Sequence, residues 1–334
     1  MSIMNKTETN LTMKTINSTP WVEKYRPNQL IDVVNHAMIL DILRYFLNYN
    51  DKQLPHLFFY GPPGTGKTST ILSCAREIYG LKQSTMVLHL NASDERGVDV
   101  VRKQIIQFAS TSSIFGSKTP HKLVILDEAD SMTESAQIAL RDVLVSYDTR
   151  FCLIGNCQNA IISALQSHVV KLMFSPISAD ATLSVGETIL KAENIEYDRE
   201  GLHSIYRTTG GDLRKFINVL QAVSLRSGKV VQTEVCNVLH YWKPNEIADF
   251  IDFLKIHTIK ESLDEFNTSL DGHSHNFTSW LKELFHYLLN SLPESQIAEF
   301  VDQMSVIEYN ASFMVYTDIQ RVCLICCCHK FARM

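Results

Sequence analysis

The sequence predicts an α/β fold built on a mainly parallel sheet, followed by regions that are helical to the end of the chain. Up to Phe174, short apolar runs alternate with helical stretches, and such alternation is typical of a parallel sheet with helices on both faces. After Pro176 the strand pattern stops, whereas helical spacing continues to the last residues. A glycine-rich segment directly after the first apolar run indicates that the sheet carries a phosphate-binding site.

Five apolar runs have the length of strands, and the stretches between them have helical spacing. The strands are predicted at residues 57–60, 86–90, 123–126, 151–155 and 169–174. The helices between them are predicted at residues 66–79, 98–110 and 135–147. We therefore expect a sheet that is covered by helices on both sides.

Changes in pattern along the chain divide it into four segments. Residues 1–19 are polar and rich in Asn and Thr, which predicts a disordered tail. The α/β domain is predicted at residues 20–175, and a small helical module at 176–240. A Trp-Lys-Pro segment at 242–244 marks the next boundary, so that residues 241–334 form a separate helical domain. The hydrophobic helices of this last domain cannot bury all their faces alone, which predicts an oligomer surface.

The charge and hydropathy of the chain exclude several classes of protein. The formal net charge of the 334 residues is −5, so the field of the whole molecule cannot attract nucleic acid. Any DNA contact must therefore come from a local basic stripe or from partner subunits. No run reaches the ~18 consecutive apolar residues that a membrane span needs. The start of the chain lacks the apolar core of a secretory signal.

The eight cysteines do not form a disulfide framework. Four of them are scattered among apolar residues, as expected in a reducing compartment. The other four, between Cys323 and Cys328, cluster next to His329. A metal site would need paired ligands from a second element, and the sequence contains no second Cys/His knuckle. A buried face of the last helix is therefore the preferred interpretation.

Residues 61–68 have the sequence GPPGTGKT and match the pattern G-x-x-x-x-G-K-[ST]. The segment follows a strand-like run and opens a helical one, which is the context that this motif requires. Its glycines let successive backbone N–H groups face the phosphates, and the helix N-terminus adds a partial positive charge. Lys67 places a cation between the β- and γ-phosphates, and Thr68 offers its hydroxyl to Mg²⁺. The predicted nucleotide-binding residues of this segment are Gly61, Pro62, Pro63, Gly64, Thr65, Gly66, Lys67, Thr68 and Ser69.

Two carboxylates, Asp127 and Glu128, follow the apolar run 123–126 at the carboxyl end of a predicted strand, where α/β sheets bind their ligands. Asp127 is predicted to hold Mg²⁺, mostly through water, together with Thr68. Glu128 is predicted to orient the attacking water and to accept its proton. The alternative, a solvated acidic turn, is disfavoured because the pair follows a phosphate loop.

Four segments together resemble the small subunits of replication factor C. They are WVEKYRP at residues 21–27, GPPGTGKTST at 61–70, NASDERG at 91–97 and LDEAD at 126–130. The resemblance is dense from Pro20 to about Leu220 and sparse, though in register, to the end of the chain. As a set, these motifs are highly specific to clamp loaders.

The resemblance implies an AAA+ P-loop ATPase domain at residues 20–175, a helical lid at 176–240 and a helical collar at 241–334. In this family the collar holds five subunits in a ring, which is a hetero-pentamer. The ring uses ATP to open a sliding clamp of the PCNA type and loads it onto primer–template DNA in replication and repair. ATP and Mg²⁺ as ligands, contact with the DNA backbone and a nuclear location follow from the same resemblance.

The resemblance also implies roles for five residues outside the phosphate loop. Val22, Arg26 and the backbone near Val34 match the stretch that packs on the adenine and the phosphates. Asn156 matches the first sensor, a polar side chain at a strand end that detects the γ-phosphate or the attacking water. Arg214 matches the second sensor, which couples the lid to the nucleotide. The alternatives are a turn residue for Asn156 and a surface helix charge for Arg214.

DNA contacts are expected at the start of the helix predicted at residues 98–110. Arg96, Arg102 and Lys103 lie there, and in the resembled family this element faces the central channel and follows the duplex backbone. Contacts to the backbone would recognise a primed junction by its shape rather than by its sequence. The alternative is a solvated helix end.

The sequence departs from the family at the residue that usually reaches into the neighbour's ATP. The family has Ser-Arg-Cys there, whereas this chain has His168 after a serine. Histidine lacks the bidentate fork and the permanent charge that stabilise a phosphoryl transition state. Asp142 likewise follows Arg141 where the family has paired arginines. We expect this subunit to turn over its own ATP but to assist its neighbour's hydrolysis poorly, unless Arg141 substitutes.

Two other classes of function stay open at this stage. One is a ring scaffold that binds ATP without needing to hydrolyse it, which the intact phosphate loop and acidic pair disfavour. The other is a different AAA+ machine, such as a hexameric branch-migration motor. The all-helical last region and the WVEKYRP segment argue against that motor.

Overall fold

A computed structural model describes residues 19–49, 54–93, 98–111, 121–239, 244–273, 277–313 and 318–332 of the chain. The predicted tail, except for Thr19, lies outside these residues. The described part forms two compact units. The first unit is made up of the described residues within Met1–Glu193 and Tyr206–Ala222. The second is made up of those within Asn194–Ile205 and Val223–Met334. The domain boundaries derived from the sequence stay predictions.

The first unit contains a five-stranded parallel sheet. Its strands are β1 (Leu57–Tyr60), β2 (Val87–Asn91), β3 (Leu123–Asp127), β4 (Arg150–Gly155) and β5 (Val170–Met173). They lie in the order β2-β3-β4-β1-β5. All the strands predicted for this sheet are present with small differences at their ends, and the α/β prediction is confirmed.

Among the described residues, ten helices belong wholly or in part to the first unit. They are α1 (Trp21–Lys24), α2 (Ala37–Tyr49), α3 (Lys67–Tyr79), α4 (Gln83–Met86), α5 (Val98–Ser110), α6 (Glu134–Ser146), α7 (Ser163–Gln166), α8 (Ala179–Glu193), α9 (Arg199–Thr209) and α10 (Leu213–Ser227). Single 3₁₀ turns are present at Leu30–Asp32, Gly80–Lys82, Ala129–Ser131 and Gln158–Ala160. Helix α2 was not predicted, although its buried Ile39, Leu40 and Leu43 have helical spacing.

Helices cover both faces of the sheet. Successive residues of a strand point to opposite sides, so each central strand packs against helices on both faces. On one face, Phe59 and Ile125 pack in a cluster with apolar residues of α2 and α3. On the other face, Phe58 and Val124 pack in a cluster with apolar residues of α5 and α6. Burial on both sides explains why these strands are continuous apolar runs in the sequence rather than alternating ones.

The expectation that no strand follows Pro176 is wrong. In the second unit, β6 (Glu196–Tyr197) and β7 (Lys229–Val230) form a two-stranded parallel ladder. Beyond it, the backbone N–H of Asp198 donates to the carbonyl oxygen of Val230 at 3.0 Å. A strand of two residues is too short to show an alternating pattern, so the sequence carried no signal for it.

The rest of the second unit is helical in its described residues, as predicted. Its helices are α11 (Gln232–Leu239), α12 (Pro244–Ile256), α13 (Ile259–His273), α14 (Phe277–Ser291), α15 (Glu294–Phe313) and α16 (Asp318–Ala332). One apolar core joins α12 to α16, and at its centre the buried Phe300 ring lies 5.6 Å from that of Phe285 and 5.2 Å from that of Phe331. Cys327 and Cys328 are buried in this core, in agreement with the packing interpretation of the cysteine cluster. Across the described ranges, every helix falls short of the length and apolar character that crossing a membrane requires.

Candidate nucleotide-binding site

The loop at residues 61–66 connects the carboxyl end of β1 to the start of α3, which is the context that the phosphate motif requires. Gly61 has φ +143°, and a Cβ there would lie 2.0 Å from the carbonyl oxygen of Phe174. Gly64 has φ +70°, and a Cβ there would lie 1.8 Å from the Oδ1 atom of Asp212. Any other residue at these two positions would be strained and would collide, so glycine is required at both.

Lys67 is the first residue of α3, and its side chain is buried. The Nζ atom donates to the carbonyl oxygens of Gly61 at 2.6 Å and Pro62 at 2.7 Å. A third hydrogen bond joins Nζ to the Oδ1 atom of Asn156 at 3.2 Å. The ammonium group is therefore held between the loop and the end of β4.

The charges around Lys67 come from several separate elements. Burial lowers the pKa of Lys67. The carboxylates of Asp127, Asp130 and Asp212 act in the opposite direction, whereas the guanidinium of Arg214 adds to the lowering. A triphosphate placed here would favour the charged form of Lys67 further, because an opposite charge nearby raises the pKa of an ammonium group.

Thr68 and Asp127 form a direct pair, in which Thr68 Oγ1 donates to Asp127 Oδ2 at 2.8 Å. The backbone N–H of Glu128 donates to Asp127 Oδ1 at 3.0 Å, and His89 Nε2 lies 3.9 Å from Oδ2. Burial alone would raise the pKa of Asp127, but these three interactions together outweigh burial and lower it. A carboxylate kept ionised beside a hydroxyl offers the hard oxygen ligands that Mg²⁺ prefers. The two residues predicted to hold the metal therefore fit it.

Glu128 follows β3 in the left-handed backbone region, with φ +55°. Its carbonyl oxygen accepts hydrogen bonds from Ser131 N at 3.0 Å and Ser131 Oγ at 2.7 Å. Its side chain is exposed and lines the same cavity as Lys67. A non-glycine residue in this conformation costs of the order of 1–3 kcal/mol, and such residues cluster at functional sites.

The phosphate loop and the strand ends form one side of a cavity of about 600 Å³. All residues predicted to bind the nucleotide or the metal line this cavity, except Gly61 and Pro62. The carbonyl oxygens of these two residues accept from Lys67 instead. Residues that were predicted from separate segments of the sequence thus lie together at this cavity.

The opposite side of the cavity is more apolar and was not predicted from the sequence. Val185 and Ile189 of α8 line it with Ile217 of α10, beside Ser184 and Thr188 of α8. Apolar side chains of this kind can pack against a flat base, whereas the polar loop faces the phosphates. The spacing along α8 places these residues on one helical face, but it does not distinguish a ligand-facing side from a core-facing one.

The start of α10 contacts the phosphate loop directly. The backbone N–H of Leu213 donates to the carbonyl oxygen of Gly64 at 3.1 Å. Asp212 precedes the helix, and its Oδ1 atom accepts from the backbone N–H of Lys215 at 3.0 Å, as an N-cap does. Arg214 follows in the first turn and lines the cavity. The position of Arg214 therefore favours the predicted ligand role over a surface charge.

The segment before the first 3₁₀ turn is attached to α8 and α10. Lys24 Nζ and Tyr25 Oη both donate to Glu193 Oε1 at 2.7 Å. The backbone N–H of Trp21 donates to Gln221 Oε1 at 3.0 Å. Val22, from the same segment, is thereby held at the cavity that it lines.

His36 is a second contact of the phosphate loop that sequence reasoning missed. Its backbone is left-handed, with φ +57°, and its Nε2 atom lies 3.2 Å from the carbonyl oxygen of Thr65. Its ring lies 4.7 Å from that of Phe174, and burial lowers the pKa of the imidazole. The signal available in the sequence was the Asn-His pair at 35–36, since these residue types are enriched at positive φ.

His168 lies in the exposed turn that precedes β5. It is close enough to His56 that its charge, with that of Arg150, adds to the effect of burial and lowers the pKa of His56 to about 4. Arg141 is engaged by its neighbour, because its Nε and Nη2 atoms donate to Asp142 Oδ1 at 3.2 and 2.7 Å. Neither His168 nor Arg141 lines the cavity of its own chain.

The residues predicted to contact DNA are only partly described. Arg96 lies outside the described residues. Arg102 and Lys103 belong to α5, and the side chain of Lys103 is exposed. Their role therefore stays a prediction.

Comparisons with known proteins show which family and which relatives the chain is similar to. The family model described as "ATPase family associated with various cellular activities (AAA)" matches residues 57–176. The chain is 38% identical over 316 residues to Replication factor C subunit 5 of Homo sapiens, which covers 93% of this chain and 91% of that protein. It is 38% identical over 328 residues to Probable replication factor C subunit 5 of Dictyostelium discoideum, with 97% and 94% covered. It is 39% identical to Replication factor C subunit 3 of Schizosaccharomyces pombe, with 92% and 89% covered.

Among solved structures, the chain is similar to the RuvB Holliday junction branch migration motor of Thermotoga maritima. The TM-score is 0.52 at 14% identity, and the match covers 78% of this chain and 91% of that one. At this identity the similarity shows the fold alone.

Proposed function

Because the chain belongs to the small subunits of replication factor C, and is thereby a clamp-loader subunit of the AAA ATPase family, we propose that it binds ATP with Mg²⁺ and hydrolyses the ATP to ADP and phosphate. Hydrolysis is coupled to the loading of a sliding clamp. The observation that carries the proposal is the meeting of Lys67 with the Thr68–Asp127 pair at one cavity. A cation and an oxygen-ligand pair at the carboxyl edge of a parallel sheet are the two parts that phosphoryl transfer requires.

Each residue of the proposed mechanism has one task. Lys67 binds the β- and γ-phosphates, and the backbone of the loop orients them. Glu128 accepts a proton from the attacking water, for which its exposed carboxylate is available. Asn156 positions that water or the γ-phosphate, and Arg214 detects the phosphate from α10. Mg²⁺, held by Thr68 and Asp127 when bound, would neutralise the charge that develops on the phosphate oxygens.

Removal of Mg²⁺ tests the metal part of the proposal. We expect a chelator to weaken ATP binding roughly tenfold or more, because Asp127 would then face the triphosphate without a cation between them. The measurement is a titration of the purified chain with a fluorescent ATP analogue, with and without the chelator. In Thr68→Ala the effect of the chelator is expected to shrink, since one ligand of the metal is lost. Equal Mg²⁺ dependence in the two proteins would contradict the assignment of Thr68.

The partners of the proposed activity are the other replication factor C subunits in a hetero-pentamer, a PCNA-type sliding clamp and the backbone of primer–template DNA. Lys103, with Arg102 and Arg96, supplies the basic contacts to that backbone. The proposed location is the nucleus. We propose three domains, an ATPase domain at residues 20–175, a lid at 176–240 and a collar at 241–334 that joins the ring.

The ring stoichiometry separates a loader from a hexameric motor of the RuvB fold. We propose that five different subunits assemble, and native mass spectrometry of the co-purified complex measures this directly. A homohexamer would exclude the loader ring. The 38% identity to replication factor C subunits, in alignments that cover more than nine-tenths of the chain, supports the loader.

His168 occupies the place of the family's trans arginine, and we propose that it leaves the neighbour's ATP without a permanent cation. In a rebuilt complex, His168→Arg is expected to raise hydrolysis at the neighbour's site by about 10³-fold or more, which is the contribution of an arginine finger. The measurement is DNA-stimulated ATP hydrolysis together with clamp loading. Arg141→Gln is the control and is expected to change nothing, because Arg141 is bound to Asp142. No change on His168→Arg, or a loss on Arg141→Gln, would show that the trans cation lies elsewhere.

A further inference from the structure

We infer that Asp130 is a positioning residue for ATP hydrolysis, whose carboxylate holds the backbone at Asn156 so that the Asn156 side chain stays beside Lys67. The inference rests on the proposed function and deepens it, because it adds a residue to the same site. The proposed role of Asp130 requires no contact with the phosphates or with the attacking water. It acts through Asn156.

The carboxylate of Asp130 satisfies two backbone groups that the sheet cannot satisfy. The Oδ2 atom accepts from Asn156 N at 2.8 Å and from Cys157 N at 3.3 Å. Both residues lie just beyond the end of β4. Backbone N–H groups that leave a sheet need another acceptor, and a carboxylate is a strong one. This one side chain therefore sets the direction of the chain as it leaves β4.

The last residue of β4, directly before Asn156, allows the close approach of Asp130. Gly155 has no side chain, and a Cβ there would lie 3.3 Å from both Cβ and Cγ of Asp130 and 3.4 Å from Oδ1. The two distances of 3.3 Å are tighter than ordinary van der Waals contact. A glycine at the last position of β4 thus leaves room for the carboxylate to reach the next two N–H groups.

Asn156 is the link from this contact to the reacting groups. Its Oδ1 atom accepts from Lys67 Nζ at 3.2 Å, while its backbone N–H is held by Asp130. The hydrogen-bonded chain therefore runs from Asp130 through Asn156 to Lys67. The negative charge of Asp130 also acts on Lys67 directly, in the direction that favours the ammonium form.

Asp130 belongs to the same short turn as the proposed catalytic carboxylate. The 3₁₀ turn Ala129–Ser131 directly follows Glu128, and Ser131 donates two hydrogen bonds to the Glu128 carbonyl oxygen. A shift of this turn would therefore move Glu128 and Asn156 together. The turn therefore fixes the position of the proposed base, Glu128, relative to the proposed sensor, Asn156.

The test is a double-mutant cycle between Asp130 and Asn156 in the assembled complex, with the phosphate-loop lysine of every other subunit replaced so that this chain's site is the one measured. The variants are Asp130→Ala, Asp130→Asn, Asn156→Ala and the Asp130→Ala/Asn156→Ala double variant. Single-turnover hydrolysis and ATP affinity are measured for each. Asp180→Ala, which removes an exposed carboxylate at the start of α8, is the matched control.

Asp130→Ala is expected to slow hydrolysis roughly ten- to a hundredfold, because displacements near 1 Å at a reacting centre have effects of that size. ATP affinity should stay close to that of the unchanged protein, since Lys67 and the loop are intact. Asp130→Asn should retain most of the rate, because an amide oxygen can accept from the same two N–H groups. The double variant should hydrolyse ATP no more slowly than Asn156→Ala, because both substitutions disrupt the same Asp130–Asn156 interaction and their effects on the rate therefore do not add.

Three results would overturn the inference. They are an unchanged rate in Asp130→Ala, an Asp130→Asn variant as slow as Asp130→Ala, and rate losses that multiply in the double variant. Where Asp130→Ala fails to fold, Asp130→Asn is compared with Asn156→Ala instead, and a rate loss in Asp130→Asn as large as that in Asn156→Ala overturns the inference. If these results appear while Lys67→Ala still removes ATP binding, the positioning role alone is wrong. If Lys67→Ala keeps ATP affinity, the proposed function is wrong.

Discussion

Replacing Lys67 with alanine is expected to remove ATP binding by this chain, with a loss of affinity of roughly a hundredfold or more. Hydrogen bonds to charged groups contribute about 1.5–3 kcal/mol each, and a lysine between two phosphates makes more than one. The side chain is buried and its Nζ is already held at the loop, so little ordering is required when a nucleotide binds. The measurement is a titration with a fluorescent ATP analogue, using both the purified chain and the assembled complex.

A matched control separates the loss of a site cation from the loss of any lysine. Lys191 is an exposed lysine near the end of α8 that pairs with Glu187 at 3.7 Å and does not line the cavity. Lys191→Ala should bind ATP as the unchanged protein does. ATP affinity that survives Lys67→Ala in both the chain and the complex would contradict the nucleotide site as a whole.

Glu128→Gln is expected to stop hydrolysis by this chain while ATP binding persists. General-base catalysis contributes about 10²- to 10⁴-fold to a rate, and the amide cannot accept the proton. Glutamine has the same shape, and the hydrogen bonds at Glu128 that orient the turn use its backbone carbonyl and N–H groups. The left-handed conformation at this position is therefore retained. The measurement is single-turnover hydrolysis in the complex, with ATP affinity determined in parallel.

The Glu128→Gln variant also distinguishes a subunit that hydrolyses ATP from a ring scaffold that only binds it. Glu134→Gln, an exposed glutamate in the first turn of α6, is the control and should hydrolyse ATP normally. If Glu128→Gln leaves both the hydrolysis and the clamp loading of the complex unchanged, this chain acts as a scaffold that binds ATP. If it traps the complex with bound ATP and blocks release of the loaded clamp, the chain takes part in turnover.

The central strands and the phosphate site were predictable because their signals are local. A strand buried on both faces is a continuous apolar run, so β1, β3 and β4 were visible without any partner. The loop at residues 61–68 has to turn at set positions, and glycines at 61 and 64 meet that need in the observed backbone. Asp127 and Glu128 could be placed because the carboxyl end of an apolar strand is where such sheets bind ligands.

The contacts that complete the site join residues far apart in the chain, and no local pattern encodes them. Asp130 meets Asn156 because β3 and β4 are adjacent and parallel, an order that neither strand's sequence specifies. Glu193 accepts from Lys24 and Tyr25 across 169 and 168 positions, respectively. Residue types and their periods define elements and motifs, whereas the pairing of elements minimises a free energy that depends on the whole packed unit. For that reason the residues that carry the chemistry could be predicted from the sequence, whereas the hydrogen-bond network that positions them could be identified only from the tertiary structure.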